Sequence, residues 1–262
     1  MTDVAVSTVW RSLLVPLCEG PVAAERTRHA VRLAAALGAH LCGLVPAALH
    51  GEAAQAAQRL RRDCQAAGLA SSETIVDDDP DPASGLVRHA RAADLVLLSQ
   101  PHPGCPAARV ERVLLEGARP VLLLPASPPP APAGDRVLVA WDDSRSAARA
   151  TGDALPLLAR AGRVELVGWR EHGGTSDAEE TARHAGLEAA QRWLRRHGIA
   201  CRTYLETAHG ALADVIGARA AEIDAGLVVM GAYGHGRWVE RVLGGATRGM
   251  LASMRVPVLM SH

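Results

Sequence analysis

Short apolar runs bounded by turn residues alternate along this chain with longer segments in which small apolar residues recur at helical spacing. Val9 to Leu17 reads as a first strand, broken by Pro16. Ala23, Thr27, Ala30, Ala34 and Leu37 mark a helix from Pro21, stopped by Gly38. His40 to Val45 is a strand, Ala53 to Ala67 a helix, and Ser72 to Val76 a weak strand. Ala83 to Ala92 is a helix, Leu95 to Leu98 a buried strand, Arg109 to Glu116 a helix and Pro120 to Leu124 a closing strand. The order then recurs. Arg136 to Trp141 is a strand, and Ala147, Thr151, Ala154, Leu155 and Leu158 line a helix that stops near Gly162. Val164 to Trp169 is a strand, and Asp177 to His197 a long helix with its buried stripe placed on Ala182, Ala185, Ala189 and Trp193. Cys201 to Glu206 is a strand, His209 to Ala221 a helix and Leu227 to Met230 a strand. Leu243, Thr247, Leu251 and Met254 mark a last helix before the strand Val256 to Met260.

Ser127 to Gly134, dense in proline, separates the two series as a stiff extended linker. Residues match as well as order: Ala92 to Leu98 parallels Asp224 to Met230, and Arg119-Pro120-Val121-Leu122 parallels Val256-Pro257-Val258-Leu259. The repeat is far longer than a solenoid unit, so the chain is a duplicated domain, 1–126 and 136–262, joined by 127–135. Alternating strands and helices predict an α/β fold of two repeated doubly wound domains. Each would be a five-stranded, mainly parallel sheet with helices on both faces, taking ligands beyond the carboxyl ends of its strands.

Composition narrows the chemistry. There is no Lys, which excludes a Walker A loop and lysine-based catalysis. Formal charge is balanced, giving no footprint for nucleic acid or an anionic membrane, and no apolar segment reaches membrane-spanning length. The five cysteines are odd in number and lack C-x-x-C spacing, and no signal peptide is evident, so a cytoplasmic, reducing location is expected. The eleven histidines show no zinc spacing, and Ser144 lacks a nucleophile-elbow context. Asp77-Asp78-Asp79, beside prolines, reads as a solvated turn rather than a metal site.

One stretch invites a ligand. The apolar run Val228-Val229-Met230 ends in Gly231-Ala232-Tyr233-Gly234-His235-Gly236, and Gly244-Gly245-Ala246-Thr247 opens the next helix. A buried strand, a loop whose backbone can approach a ligand, and a helix N-terminus with free N–H groups suit a phosphate. Gly234-x-Gly236 lacks the third glycine of a dinucleotide fingerprint.

With these residues the chain resembles a tandem universal stress protein over nearly its whole length. Gly231-x-x-Gly234, nine residues, then Gly244 reproduces the spacing of that family's nucleotide-binding motif; Arg255-Val256-Pro257-Val258-Leu259 looks like its closing strand, and Ala140-Trp141-Asp142 like the end of its first strand. The resemblance implies an adenine-nucleotide alpha-hydrolase-like fold and an adenine nucleotide (ATP, ADP or AMP) with Mg²⁺ as a candidate companion. It places Ala140, Asp142 and Trp169 at the adenine and ribose. Met230 belongs to the implied site, Gly231 and Gly234 would allow close approach, His235, Gly236 and Arg237 would border the phosphates, and Gly244, Gly245, Ala246 and Thr247 would cradle them. It also implies an intramolecular pseudo-dimer through the closing strands, with a homodimer as a further state, and no robust catalysis.

Two departures matter. ATP-binding members usually carry Ser or Thr directly after the third glycine of the motif, where this chain has Gly245. In the first half Ser99 and His102 replace the first two glycines, prolines crowd the loop, and no acid matches Asp142. A nucleotide-binding stress protein with its site in the second half is therefore set beside a scaffold that has lost the nucleotide, with a slow ATPase as a third reading. The Asp142-Asp143 pair reads as a magnesium ligand or as a helix cap.

Overall fold

The computed structural model describes residues 9–18, 20–127, 135–171, 176–234 and 245–262. Most of the predicted linker and of the glycine loop lies outside these ranges. Contacts divide the chain into two compact units, Met1–Val96 and Leu97–His262.

The first unit contains β1 (Ser12–Pro16), α1 (Pro21–Leu37), β2 (His40–Val45), a 3-10 turn (Ala47–Glu52), α2 (Ala53–Ala66), β3 (Ser72–Val76), α3 (Pro82–Ala90) and the start of β4 (Leu95–Ser99). Its strands lie parallel in the order β3-β2-β1-β4, with Leu14 opposite both Cys42 and Val96. Local chemistry sets the boundaries. Pro21 starts α1 where its missing N–H is not needed, and Gly38, at φ 64°, ends it by donating to the carbonyls of Ala34 and Ala35. Asp81 caps α3, its carboxylate accepting from the Ala83 N–H at 3.0 Å. All of β4 is buried, as a continuous apolar strand in a parallel sheet must be.

The second unit continues from β4 through α4 (Ala107–Glu116) and β5 (Val121–Leu124). It then runs β6 (Arg136–Ala140), α5 (Arg145–Asp153), α6 (Leu155–Leu158), β7 (Arg163–Glu171), α7 (Asp177–Arg196), β8 (Cys201–Ala208), α8 (Leu212–Glu222), β9 (Leu227–Gly231), α9 (Gly245–Ser253) and β10 (Val258–Ser261). Its strand order is β5-β10-β9-β6-β7-β8. The winding β8-β7-β6-β9 repeats β3-β2-β1-β4 of the first unit, so the duplication read from the sequence is a duplication of topology. The predicted closing strands pair with each other antiparallel, Val258 opposite Leu123 and Met260 opposite Val121. This pairing covers two short apolar edges and carries β5 into the second unit.

Three expectations need correction. The single helix expected from Ala147 to Leu158 breaks at Ala154, because Pro156 cannot continue the donor ladder. The buried stripe of α7 is Leu187, Ala190 and Leu194, while Ala182, Ala185 and Ala189 are exposed. Alanine periodicity carries little burial energy, and the leucines set the face. Asp77 is no solvated turn residue: it is 4% exposed, paired with Arg88 and packed against Gly85, where a Cβ would lie 1.5 Å from its carboxylate.

Candidate functional site

In the second unit the carboxyl ends of β6 and β9 meet the first turn of α5, and the loop after β9 reaches the first turn of α9. Ala140, the last residue of β6, stands opposite Val167 and Met230. The Trp141 N–H extends the ladder, donating to the Val167 carbonyl at 2.8 Å. Asp142 turns the chain by accepting from the Ser144 N–H at 3.0 Å, with Asp143 at φ 62°. Ser144 then caps α5, its hydroxyl accepting from the Ala147 N–H at 3.1 Å. The helix cap is Ser144 rather than the Asp142-Asp143 pair named from the sequence, and Asp142 serves the turn before it. Met230 is buried in register with Ala140 and Met260.

The glycines do different work from one another. A Cβ on Gly231 would lie 2.6 Å from the Ala147 nitrogen and from the Ser146 Oγ, and one on Gly234 would lie 2.4 Å from the Ser146 Oγ. Both are glycines because the strand end and its loop press against the first turn of α5. At the mouth of α9, Gly245 is exposed, and a Cβ there would meet nothing within 4 Å. Ala246 is half-buried beside it. Thr247 is 3% exposed, and its hydroxyl accepts from the Tyr233 N–H at 3.0 Å, tying α9 to the strand loop. Tyr233 holds φ 51°, an uncommon conformation for a bulky residue. Burial, then the nearby Glu111 carboxylate, pushes its phenol up to about 12. His235, Gly236, Arg237 and Gly244 lie outside the described residues.

Trp169 of β7 is 3% exposed, and its carbonyl accepts from Arg183 at 3.2 Å. Its indole N–H and that of Trp141 are buried without an acceptor among the described residues. Sequence reasoning overlooked Ser146, whose only signal was its place one turn into the helix that the glycines must approach. No group of three or more His, Cys, Asp or Glu among the described residues is placed to hold a metal ion.

The first-half counterpart of the glycine loop is arranged differently. Between β4 and α4, His102 and Cys105 exchange backbone hydrogen bonds at 3.0 and 2.8 Å, and the Gly104 N–H donates to the His102 ring at 3.2 Å. The Gln100 N–H donates to the Leu124 carbonyl at 2.7 Å. Pro101, Pro103 and Pro106 have no N–H to offer. The N–H groups of His102, Gly104 and Cys105 are thus spent within the loop, and that of Gln100 on β5.

Residues 134–262 match the model of the universal stress protein family. This half is a universal stress protein domain. No curated protein matches the chain. Among solved structures, a universal stress protein from Archaeoglobus fulgidus DSM 4304 is 19% identical, covers 95% of this chain and 95% of its own, and superposes with a TM-score of 0.72. A functionally unknown protein from Pseudomonas aeruginosa PAO1 is 16% identical over 96% of this chain and 92% of its own, with a TM-score of 0.67. At these identities the likeness is one of fold. It extends across both halves, and the chain is a tandem of universal stress protein folds.

Proposed function

We propose that the chain is a universal stress protein-like, stress-response protein that binds an adenine nucleotide in the 136–262 half and performs no robust catalysis. The observation that carries this reading is the meeting of the strand ends at Ala140 and Gly231, and of the loop Gly231–Gly234, with the first turn of α5, together with the Tyr233–Thr247 hydrogen bond that ties this loop to the start of α9. The first N–H groups of that helix have no intrahelical acceptor, and its dipole favours an anion there. Asp142, at the end of β6, is the carboxylate we assign to a magnesium ion carried by the nucleotide, since the Asp143 carboxylate lies against Gly186 of α7. His235, Gly236, Arg237 and Gly244 complete the proposed cradle by resemblance. The five free cysteines support a reducing, cytoplasmic location. No helix of the described residues is long and apolar enough to cross a membrane.

A second reading, a stress-response scaffold that acts through protein contacts, is favoured by Thr247. Its hydroxyl already serves the Tyr233 N–H, and Gly245 contributes no side chain. Native mass spectrometry of untreated, full-length protein separates the two. The nucleotide reading expects an adenine-nucleotide mass on part of the population, removed by dialysis and restored by ATP. Bare protein that takes up no nucleotide at millimolar concentration leaves the scaffold reading.

A further inference from the structure

A cleft of about 340 Å³ opens in the first unit, beyond the end of β1 and between α1 and α2. Leu17 and Leu60 form its floor. Gly43 of β2 lets them settle there: a Cβ on it would lie 2.6 Å from one methyl of Leu60 and 2.7 Å from one of Leu17. Ala24 and Ala56 contribute to the walls, and Arg28, Arg59 and Asp63 bring charge. Arg28 is paired with Glu25, whereas Arg59 has no hydrogen-bond or ion-pair partner among the described residues.

The second unit fills the equivalent groove. Gly68 and Gly198, at φ 67° and 76°, end α2 and α7 in the same left-handed conformation. The Leu69 N–H returns to the Cys64 carbonyl at 2.9 Å, and the Ile199 N–H to the Leu194 carbonyl at 3.0 Å. This match equates Asp63 with Trp193 and Ala56 with Gly186. Matching Cys18 to Asp142 likewise equates Arg28 with Gly152. In the second unit the Trp193 ring reaches Gly152, where a Cβ would be 3.9 Å from it, and the Asp143 carboxylate covers Gly186 at 3.1 Å. The first unit thus keeps open what the second plugs with an indole.

We propose that the α1–α2 cleft binds a small amphipathic monocarboxylate, its apolar body on Leu17, Ala24, Ala56 and Leu60 and its carboxylate at Arg59 beside Arg28. The volume lies at the lower end of the ~300–1,000 Å³ typical of small-molecule sites. A guanidinium fork matches a carboxylate in two hydrogen bonds. Asp63, one helical turn beyond Arg59, repels a second negative charge, which selects a monoanion over a nucleotide or a dicarboxylate. The site is separate from the one at α9 and does not rest on it.

Decanoate, decan-1-ol and acetate are titrated into the full-length protein by calorimetry, and alkylation of Cys18 in the cleft wall is followed by peptide mass spectrometry. Cys201, half-buried in the other unit, is the internal reference, while burial pushes the Cys42 thiol up to about 12 and keeps it inert. Decanoate is expected to bind once per chain and to slow Cys18 alkylation without slowing that of Cys201. Arg59→Ala is expected to weaken decanoate by about tenfold or more, since even one of the two charge-assisted hydrogen bonds is worth about that factor. Decan-1-ol and acetate each lack half of the recognition and bind more weakly by a similar factor. Asp63→Trp, an exposed position given the indole of the second unit, should remove the protection. Failure of decanoate to protect Cys18, equal protection in a folded Asp63→Trp protein, or equal binding of decan-1-ol would each overturn the proposal. Should Asp63→Trp not fold, the Arg59→Ala and decan-1-ol arms still decide it.

Discussion

Gly231 and Gly245 sit at opposite ends of one loop and are glycines for opposite reasons. Gly231 has the backbone of Ala147 where its side chain would go, so Gly231→Ala must shift either the strand end or α5. The expected cost is about 1–3 kcal/mol, the range for overpacking a close contact, and it should appear in a thermal melt as a fall of roughly 2–10 °C. Gly245 faces open space, so Gly245→Ser should melt with the wild type while adding a hydroxyl at the mouth of α9. Tyr233 gives a second prediction at this scale. Its folded phenol holds the proton to about pH 12, whereas an unfolded tyrosine releases it near pH 10. The contribution to stability is therefore complete below pH 10 and declines as the pH rises towards 12. Urea denaturation across this window should show wild type losing stability relative to Tyr233→Phe; parallel profiles would contradict the assignment.

At the scale of elements, β7 and α8 share a charged contact inside the fold. Glu165 is 0% exposed and is held by Arg163 and, at 2.8 Å, by Arg219. Arg219 also approaches Glu206 and Glu222 at 3.4 and 3.0 Å and lies 4.9 Å over the Tyr204 ring. Glu165→Ala removes the carboxylate that both arginines share. Breaking a buried pair costs ~3–5 kcal/mol, and the lower end applies because Arg219 keeps two acids. Urea denaturation should report a loss of about 3 kcal/mol; a change within about 0.5 kcal/mol, the size of an ordinary surface substitution, would contradict it. The strands were legible in the sequence because a buried parallel strand is a short apolar run with glycine or proline at its ends. Glu165 was not, since a lone acid inside such a run carries no mark of the partners that neutralise it. The stripe of α7 was misplaced for a related reason: in an alanine-rich helix, every face has some apolar period.

For the whole molecule, duplication was plain in the sequence because order, glycines and closing strands all repeat, and the observed winding repeats with them. The candidate site was legible as a set of strand ends and a helix start. The contact of Gly231 and Gly234 with Ser146 was not, because spacing along the chain says nothing about which helix presses on a loop. The divergence of the halves reaches beyond single substitutions: the first-half loop spends its N–H groups on the His102–Cys105 turn, and α1 and α2 hold open a groove that Trp193 closes in the other half. The central claim, one nucleotide site per chain at the mouth of α9, is tested most directly by titrating ATP into full-length wild type and Gly245→Ser, following heat and tryptophan fluorescence. The account predicts one ATP per chain, a change in tryptophan emission, and about tenfold or more tighter binding in Gly245→Ser from the added charge-assisted hydrogen bond. No binding in either protein, two sites per chain, or an affinity that ignores the new hydroxyl would contradict it.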